Sequence, residues 1–219
     1  MSSQQETYKL TYFNFRGLAE PIRLMFAYAG IAYTDDRVAQ DDTWPEKKSS
    51  LPWGTLPVLE VRPGKTGDSF VLAQAAAIGR FLAKKFGLDA KTEEDVAKCD
   101  EYVDALKDFQ LEFVTWFRAT DATAKSVKIL EIKEKHAPSY FGKFEAILDR
   151  NKTGWLVGDS LTWVDIYAAN HLSNFANFLS SDDKDILQEA YPNLGSFVKK
   201  VFALNGIAKW IKERPETPF

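Results

Sequence analysis

The chain predicts a small mixed α/β domain over residues 1–87 followed by an all-α domain over residues 92–219. Three observations carry that division. Short β-rich alternations bounded by Gly and Pro clusters occur only in the first part. Gly87 closes one helical pattern, and a charged start opens the next after Leu88–Lys91. From Thr92 onward the apolar residues recur at helical spacing and no convincing strand is found.

In the first part, Tyr8, Leu10 and Tyr12 alternate with Lys9 and Thr11, which reads as a strand. Pro21 fits the first turn of a helix, where a missing N–H is tolerated, and Ile22, Leu24, Met25, Phe26 and Tyr28 give that helix an apolar face. Ile31–Tyr33 with Arg37 and Val38 reads as a short second strand, and Trp44-Pro45-Glu46 opens a short helix or turn. The breakers Pro52, Gly54 and Pro57 make a loop that leads into a strand at Val58–Val61. Arg62–Asp68 is a turn cluster, and Ser69–Leu72 returns as the partner strand. Gln74 begins a helix with Ile78, Phe81, Leu82 and Phe86 on one face, capped by Gly87.

In the second part, Val96, Val103, Leu106, Phe109, Phe113 and Phe117 mark one long helix. Ser126–Asn151 reads as another, bent at Pro138. Thr162–Asp165 is a capping box, with Leu161 and Ile166 as its hydrophobic staple, and Trp163, Ile166, Ala169 and Leu172 continue a buried face. Shorter helices are expected over Lys184–Ala190, Leu194–Ala203 and Gly206–Glu213.

Composition narrows the function. Apolar residues at 45%, with six Trp and sixteen Phe, supply enough material for sizeable cores in a globular protein. A net charge of −3 leaves no electrostatic footprint for nucleic acid. No apolar window is long enough to span a membrane, and Met1–Glu6 has neither the basic start nor the apolar stretch of a signal peptide, so the cytoplasm is the expected compartment. Cys99 is the single cysteine, which rules out an intrachain disulfide and a thiolate metal cluster. His136 and His171 fall on different helices and are expected to be structural, as is Cys99; no metal site is expected.

The strand ending at Tyr12 carries the chemistry. A phenol has a pKa near ~10, so at neutral pH a tyrosine at a strand end is a hydrogen-bond donor for an anion and not a base. The alternative is ordinary strand packing. A mixed sheet with helices, and Pro57 opening a strand after a loop, suggests a thioredoxin-like domain, in which that proline is cis and exposes the backbone of the preceding residue. A Cys-x-x-Cys pair is absent after the first strand, which excludes a disulfide oxidoreductase.

From Tyr8 to Phe219 the chain resembles the glutathione transferases, and within them the sigma class. The segments that carry the resemblance are Tyr8–Phe13, Arg16–Arg23, Trp44-Pro45 with Lys48, Leu51–Leu59, Gln74–Arg80, Gly158–Asp165 and Trp210–Pro215. The resemblance implies that Tyr12 donates to the sulfur of glutathione. A thiol of pKa near ~8.5 is only a few per cent ionised at pH 7, and lowering it by two units needs about 2.7 kcal/mol. One charge-assisted hydrogen bond supplies roughly 1.5–3 kcal/mol. The thiolate would then attack a small hydrophobic electrophile, a peroxide or an endoperoxide.

The same resemblance implies a binding role for Phe13. It gives the cysteinyl part of glutathione to the backbone of Leu56, beside Pro57. The glycyl carboxylate falls to Trp44 and Lys48, and the γ-glutamyl end to Gln74 and the N–H of Ala75. Asp108 would reach across a homodimer to the partner's ligand. Phe15, Phe113 and Trp116, with Phe13, Phe109 and Thr115 beside them, are weaker candidates for the electrophile pocket.

Four positions depart from the family pattern. Ala75 replaces a serine whose hydroxyl takes the γ-glutamyl carboxylate, a loss of roughly 1.5–3 kcal/mol. Leu18 stands where some members have an arginine, which leaves Arg16 as the cation that could compensate. Thr55 stands where some have a lysine, and Lys107 where prostaglandin-isomerising members have an acid. The leading expectation is a glutathione-conjugating enzyme, with a glutathione-dependent prostaglandin isomerase or a non-catalytic relative as alternatives.

Overall fold

The computed structural model describes residues 6–64, 68–180 and 185–217. Residues 1–5 of the N-terminal segment, 65–67 of the Arg62–Asp68 turn, Lys184 of the expected 184–190 helix, and the last two residues lie outside that set. The described residues up to Leu88, with those from Leu204 onward, form one compact unit, and Asp89–Ala203 form a second.

The first unit holds a four-stranded sheet of order β2-β1-β3-β4, built from β1 (Thr7–Phe13), β2 (Thr34–Val38), β3 (Val58–Arg62) and β4 (Phe70–Ala73). β1 pairs parallel with β2 and antiparallel with β3, and β3 pairs antiparallel with β4. The parallel pair needs a crossover. A 3₁₀ turn at Gly17–Ala19 and helix α1 (Glu20–Ala29) supply it, with Pro21 in the first turn of α1. Helix α2 (Trp44–Ser49) follows β2, and α3 (Ala75–Phe86) follows β4. Leu10, Ile22, Leu24, Phe26, Leu59, Ile78 and Leu82 are fully buried and make the core of this unit.

The second strand is shorter than expected: Ile31–Tyr33 lie outside it, and β2 starts at Thr34. Gly30 explains the shift, because it caps α1 at φ +65° and the Ile31 N–H is spent on the Phe26 carbonyl.

In the second unit, Thr92 caps α4 (Glu93–Arg118). The expected single helix over Ser126–Asn151 is three segments: α5 (Ala122–Glu131), a π turn at Ile132–His136, and α6 (Ala137–Asn151). Pro138 sits in the first turn of α6. It cannot donate to the carbonyl four residues back, and the chain answers with a wider turn in which the Ala137 N–H bonds to the Ile132 carbonyl. Helices α7 (Trp163–Leu179), α8 (Ile186–Ala190) and α9 (Pro192–Phe202) complete this unit.

The capping box at the start of α7 is deeply built. Asp165 accepts from the Thr162 N–H at 2.7 Å, the Thr162 hydroxyl at 2.9 Å and the Leu156 N–H at 2.8 Å. Burial pushes its carboxyl up to about 6, against these three donors, which favour the carboxylate.

The last helix, α10 (Asn205–Glu213), packs on α1 and so joins the first compact unit rather than the other helices of the 92–219 segment. Gly206 makes this possible, since a Cβ there would overlap the Ala27 carbonyl oxygen. Trp210 Nε1 and Arg214 Nη1 then reach the buried Glu20 carboxylate at 2.8 and 2.9 Å.

Cys99 and His171 are buried parts of the second unit. Burial pushes the Cys99 thiol up to about 12, and its Sγ lies 3.8 Å from the Thr162 hydroxyl, so it is an inert thiol. His171 lies on the Tyr167 ring and bonds the Tyr167 carbonyl at 2.9 Å through Nδ1, which therefore carries the proton.

Burial lowers the His171 pKa from 6.5 to about 4. A depressed pKa on a base contributes stability that is present above 6.5 and lost as pH falls through 4. The Asp165 carboxyl, with its raised pKa, acts with the opposite sign over 4–6, so the contrast with a His171→Gln variant isolates the histidine. In urea titrations the stability of the wild type relative to H171Q should fall by about 3 kcal/mol between pH 7.5 and pH 4. A pH-independent difference would contradict the buried neutral imidazole.

Candidate active site

The register of the sheet brings the predicted residues of the first unit to one end. Thr11 on β1 faces Val58 on β3, and Val58 faces Ala73 on β4. Tyr12 follows Thr11, Pro57 precedes Val58 and Gln74 follows Ala73, so these three emerge side by side. β2 runs parallel to β1 and ends at the same edge, and it leads into α2 with Trp44 and Lys48. The phenylalanine after Tyr12 joins this edge, with the Phe13 ring 4.7 Å from Trp44 and stacked on Phe15 at 5.4 Å.

Tyr12 is buried, and its hydroxyl oxygen accepts the Leu18 N–H at 3.1 Å. Among the described residues no acceptor takes its own proton, which leaves it able to point at a ligand. Burial raises its pKa, while the Leu18 N–H and the Arg23 charge pull the other way. The phenol therefore stays protonated at neutral pH and is able to donate a hydrogen bond. Phe15 packs on it edge-to-face with centroids 5.4 Å apart.

The Leu56–Pro57 peptide is cis. This leaves Leu56, half-buried, as the last residue before the sheet. Gln74 caps α3 with φ +78° and ψ +115°, a conformation uncommon outside glycine, and it is exposed. The first turn of α3 has no acidic residue and no side-chain cap, so its N–H groups are open to an anion. Ala75 is the first residue of that turn and is buried. Lys48 is exposed on α2, with its stem along Gly54 of the loop before Pro57.

Five predicted residues, Asp108, Phe109, Phe113, Thr115 and Trp116, belong to the second unit. Asp108 lies exposed on α4. Phe113 is half-buried in an aromatic cluster, stacked on Phe175 at 4.5 Å and edge-on to Phe109 at 5.3 Å. Trp116 meets Phe178 edge-on at 4.8 Å. Among the described residues, no cluster of His, Cys, Asp and Glu is placed to hold a metal, and no helix is long and apolar enough to cross a membrane.

Sequence reasoning missed the group around Tyr12. Arg16, the cation left by the substitution at position 18, turns toward the C-terminal segment, with Nη2 at 3.5 Å from the Thr217 carbonyl. The charge beside Tyr12 is Arg23, fully buried, with its guanidinium carbon 5.9 Å from the ring centroid. Glu20 and Arg23 at i and i+3 on an otherwise apolar helix were the available signal.

A family model described as the glutathione S-transferase N-terminal domain matches residues 8–84, and one described as the C-terminal domain matches residues 107–214. Glutathione S-transferase 1 of Ascaris suum is 37% identical over 97% of this chain and 98% of its own length.

This chain belongs to the glutathione S-transferase family.

Hematopoietic prostaglandin D synthase of Homo sapiens, 39% identical, covers 96% of this transferase chain and 98% of itself. Among solved structures, a monomeric glutathione S-transferase from the hookworm Necator americanus superposes with a TM-score of 0.83. It is 38% identical and covers 97% of this transferase and all of its own chain. The N-terminal part is the thioredoxin-like domain of the family and the C-terminal part its helical domain.

Proposed function

We propose that this transferase ionises the thiol of glutathione through the Tyr12 hydroxyl and transfers the thiolate to small hydrophobic electrophiles. The observation that carries the reading is the buried Tyr12 hydroxyl, which takes an N–H from Leu18 and keeps its own proton free at the converging end of the sheet. Residues 1–87 would bind glutathione and residues 92–219 would supply the electrophile pocket, with Phe15, Phe113 and Trp116 as candidate lining.

In this reading the backbone of Leu56, before cis-Pro57, pairs with the cysteinyl part of the peptide. Trp44 and Lys48 hold the glycyl carboxylate, using an indole N–H and a cation, and Phe13 buttresses Trp44. Gln74 and the first N–H groups of α3, beginning with Ala75, take the γ-glutamyl end. Asp108 would complete the partner's site in a sigma-class, cytoplasmic homodimer. Sedimentation should give a dimer of the 24.8 kDa chain, and a monomer would remove Asp108 from the site.

The test is the steady-state rate of conjugation to 1-chloro-2,4-dinitrobenzene with glutathione varied. The thiolate displaces chloride on the ring and the thiol proton goes to solvent. Saturable conjugation supports the reading, and its absence at every glutathione concentration contradicts it.

Ala75→Ser should tighten glutathione about tenfold by calorimetric titration, because it restores one hydrogen bond to a carboxylate. Unchanged affinity would remove the γ-glutamyl end from the start of α3. A second reading, prostaglandin isomerisation, is favoured by the human relative at 39% identity. Lys107, in place of an acid, and Leu18 weigh against it.

A further inference from the structure

The Leu18 N–H that reaches Tyr12 belongs to a loop tied locally by the Phe15 N–H to the Phe13 carbonyl at 2.8 Å and by the Glu20 N–H to the Arg16 carbonyl at 3.0 Å. Arg23 fastens it: its Nη1 donates to the Phe15 carbonyl at 3.0 Å and to the Arg16 carbonyl at 3.3 Å. Gly17, between those carbonyls and Leu18, has φ +42°, and a Cβ there would stand 2.6 Å from the Tyr12 oxygen. The loop therefore closes on the hydroxyl with no room to spare, and any drift of its carbonyls moves the Leu18 N–H.

Arg23 is also a fixed charge. It is fully buried on α1, with Nε bonded to Asp35 at 3.1 Å and Nη1 at 3.3 Å from Glu20. Glu20 is shared with Trp210 and Arg214, so it neutralises Arg23 only in part. Asp35 is likewise shared, with Arg37 at 2.8 Å. The buried Nη2 of Arg23 has no hydrogen-bond partner among the described residues. A positive charge a few ångströms from the phenol favours a thiolate bound to that phenol, and its burial weakens the screening.

We propose that Arg23 is the positioning residue of the catalytic tyrosine: it anchors the Phe15–Leu18 loop that holds the hydroxyl, and its charge takes the place of the cation missing at position 18. This inference rests on the reading of Tyr12 as the donor to the glutathione thiolate. Arg23 acts through the loop and through its field, and Glu20 and Asp35 set how much of that field is expressed.

The test reads the apparent pKa of enzyme-bound glutathione from the ultraviolet absorbance of its thiolate. Four proteins are compared: wild type, Tyr12→Phe, Arg23→Gln and Asp35→Asn. Arg23→Gln should raise that pKa by about one unit, a roughly tenfold loss of thiolate below it. Asp35→Asn, which removes a counter-charge from Arg23 but keeps an acceptor for its Nε, should lower the pKa. A purely structural role would not drive the two variants in opposite directions.

A folded Arg23→Gln protein with the wild-type pKa overturns the inference. If Arg23→Gln does not fold, Asp35→Asn decides: a lowered pKa supports the role of Arg23, and an unchanged or raised one overturns it. If Tyr12→Phe leaves the pKa unmoved, the reading of Tyr12 has failed and this inference with it. If Tyr12→Phe shifts it and the other two variants do not, only the role of Arg23 is lost.

Discussion

Replacing Tyr12 with phenylalanine should lower kcat/KM for glutathione conjugation at pH 7 by roughly tenfold to a hundredfold. The substitution removes one hydrogen bond to a developing thiolate, worth roughly 1.5–3 kcal/mol, and each 1.4 kcal/mol is about a factor of ten. The ring itself stays, with its edge contacts to Phe13 at 5.7 Å and Phe15 at 5.4 Å, so the sheet edge keeps its packing. The Leu18 N–H loses its acceptor, a cost of about 1–3 kcal/mol to stability.

The pH profile separates the two effects. Loss of thiolate stabilisation moves the rise of kcat/KM to higher pH, and the gap to wild type narrows where the thiol ionises unaided. A fall in activity that is constant across pH would place the damage elsewhere.

The largest stability effect is expected from Asp165→Ala. Removing the carboxylate leaves the Leu156 and Thr162 N–H groups without acceptors in a buried setting, each costing about 1–3 kcal/mol. It also removes the cap of α7, whose Trp163, Ile166, Ala169 and Leu172 form a buried face of the second unit. A loss of about 3–4 kcal/mol in urea unfolding is therefore expected, enough to consume much of a typical domain's stability. Asp165→Asn, which can keep one acceptor oxygen, should lose less. A loss below about 1 kcal/mol for the alanine variant would mean that water takes over the orphaned donors.

The parts of this fold that depend on local pattern were legible in the sequence. The alternation around Tyr12, the Pro21 helix start, the Gly87 stop and the Thr162–Asp165 box each stand at or next to an element boundary. Features that depend on distant partners were not. Arg23 sits among apolar neighbours on α1, and its carboxylate Glu20 meets Trp210, which is 190 residues away in sequence. The π turn before Pro138 reads as plain helix because its residues keep helical spacing. Gln74 carries no sequence mark of a positive φ, a conformation usually left to glycine. Arg16 was the cation nearest position 18 in sequence, yet the loop carries its side chain away toward Thr217.

The decisive measurement is the ultraviolet titration of glutathione bound to the wild-type protein in the absence of any electrophile. It reads thiol ionisation directly and does not depend on finding the physiological substrate. If Tyr12 donates to the sulfur, the bound thiol should titrate about two units below the ~8.5 of a free thiol. The thiolate band should then be present at neutral pH and lost in Tyr12→Phe. Bound glutathione that titrates at the free value, with the protein folded and saturated, would contradict the account.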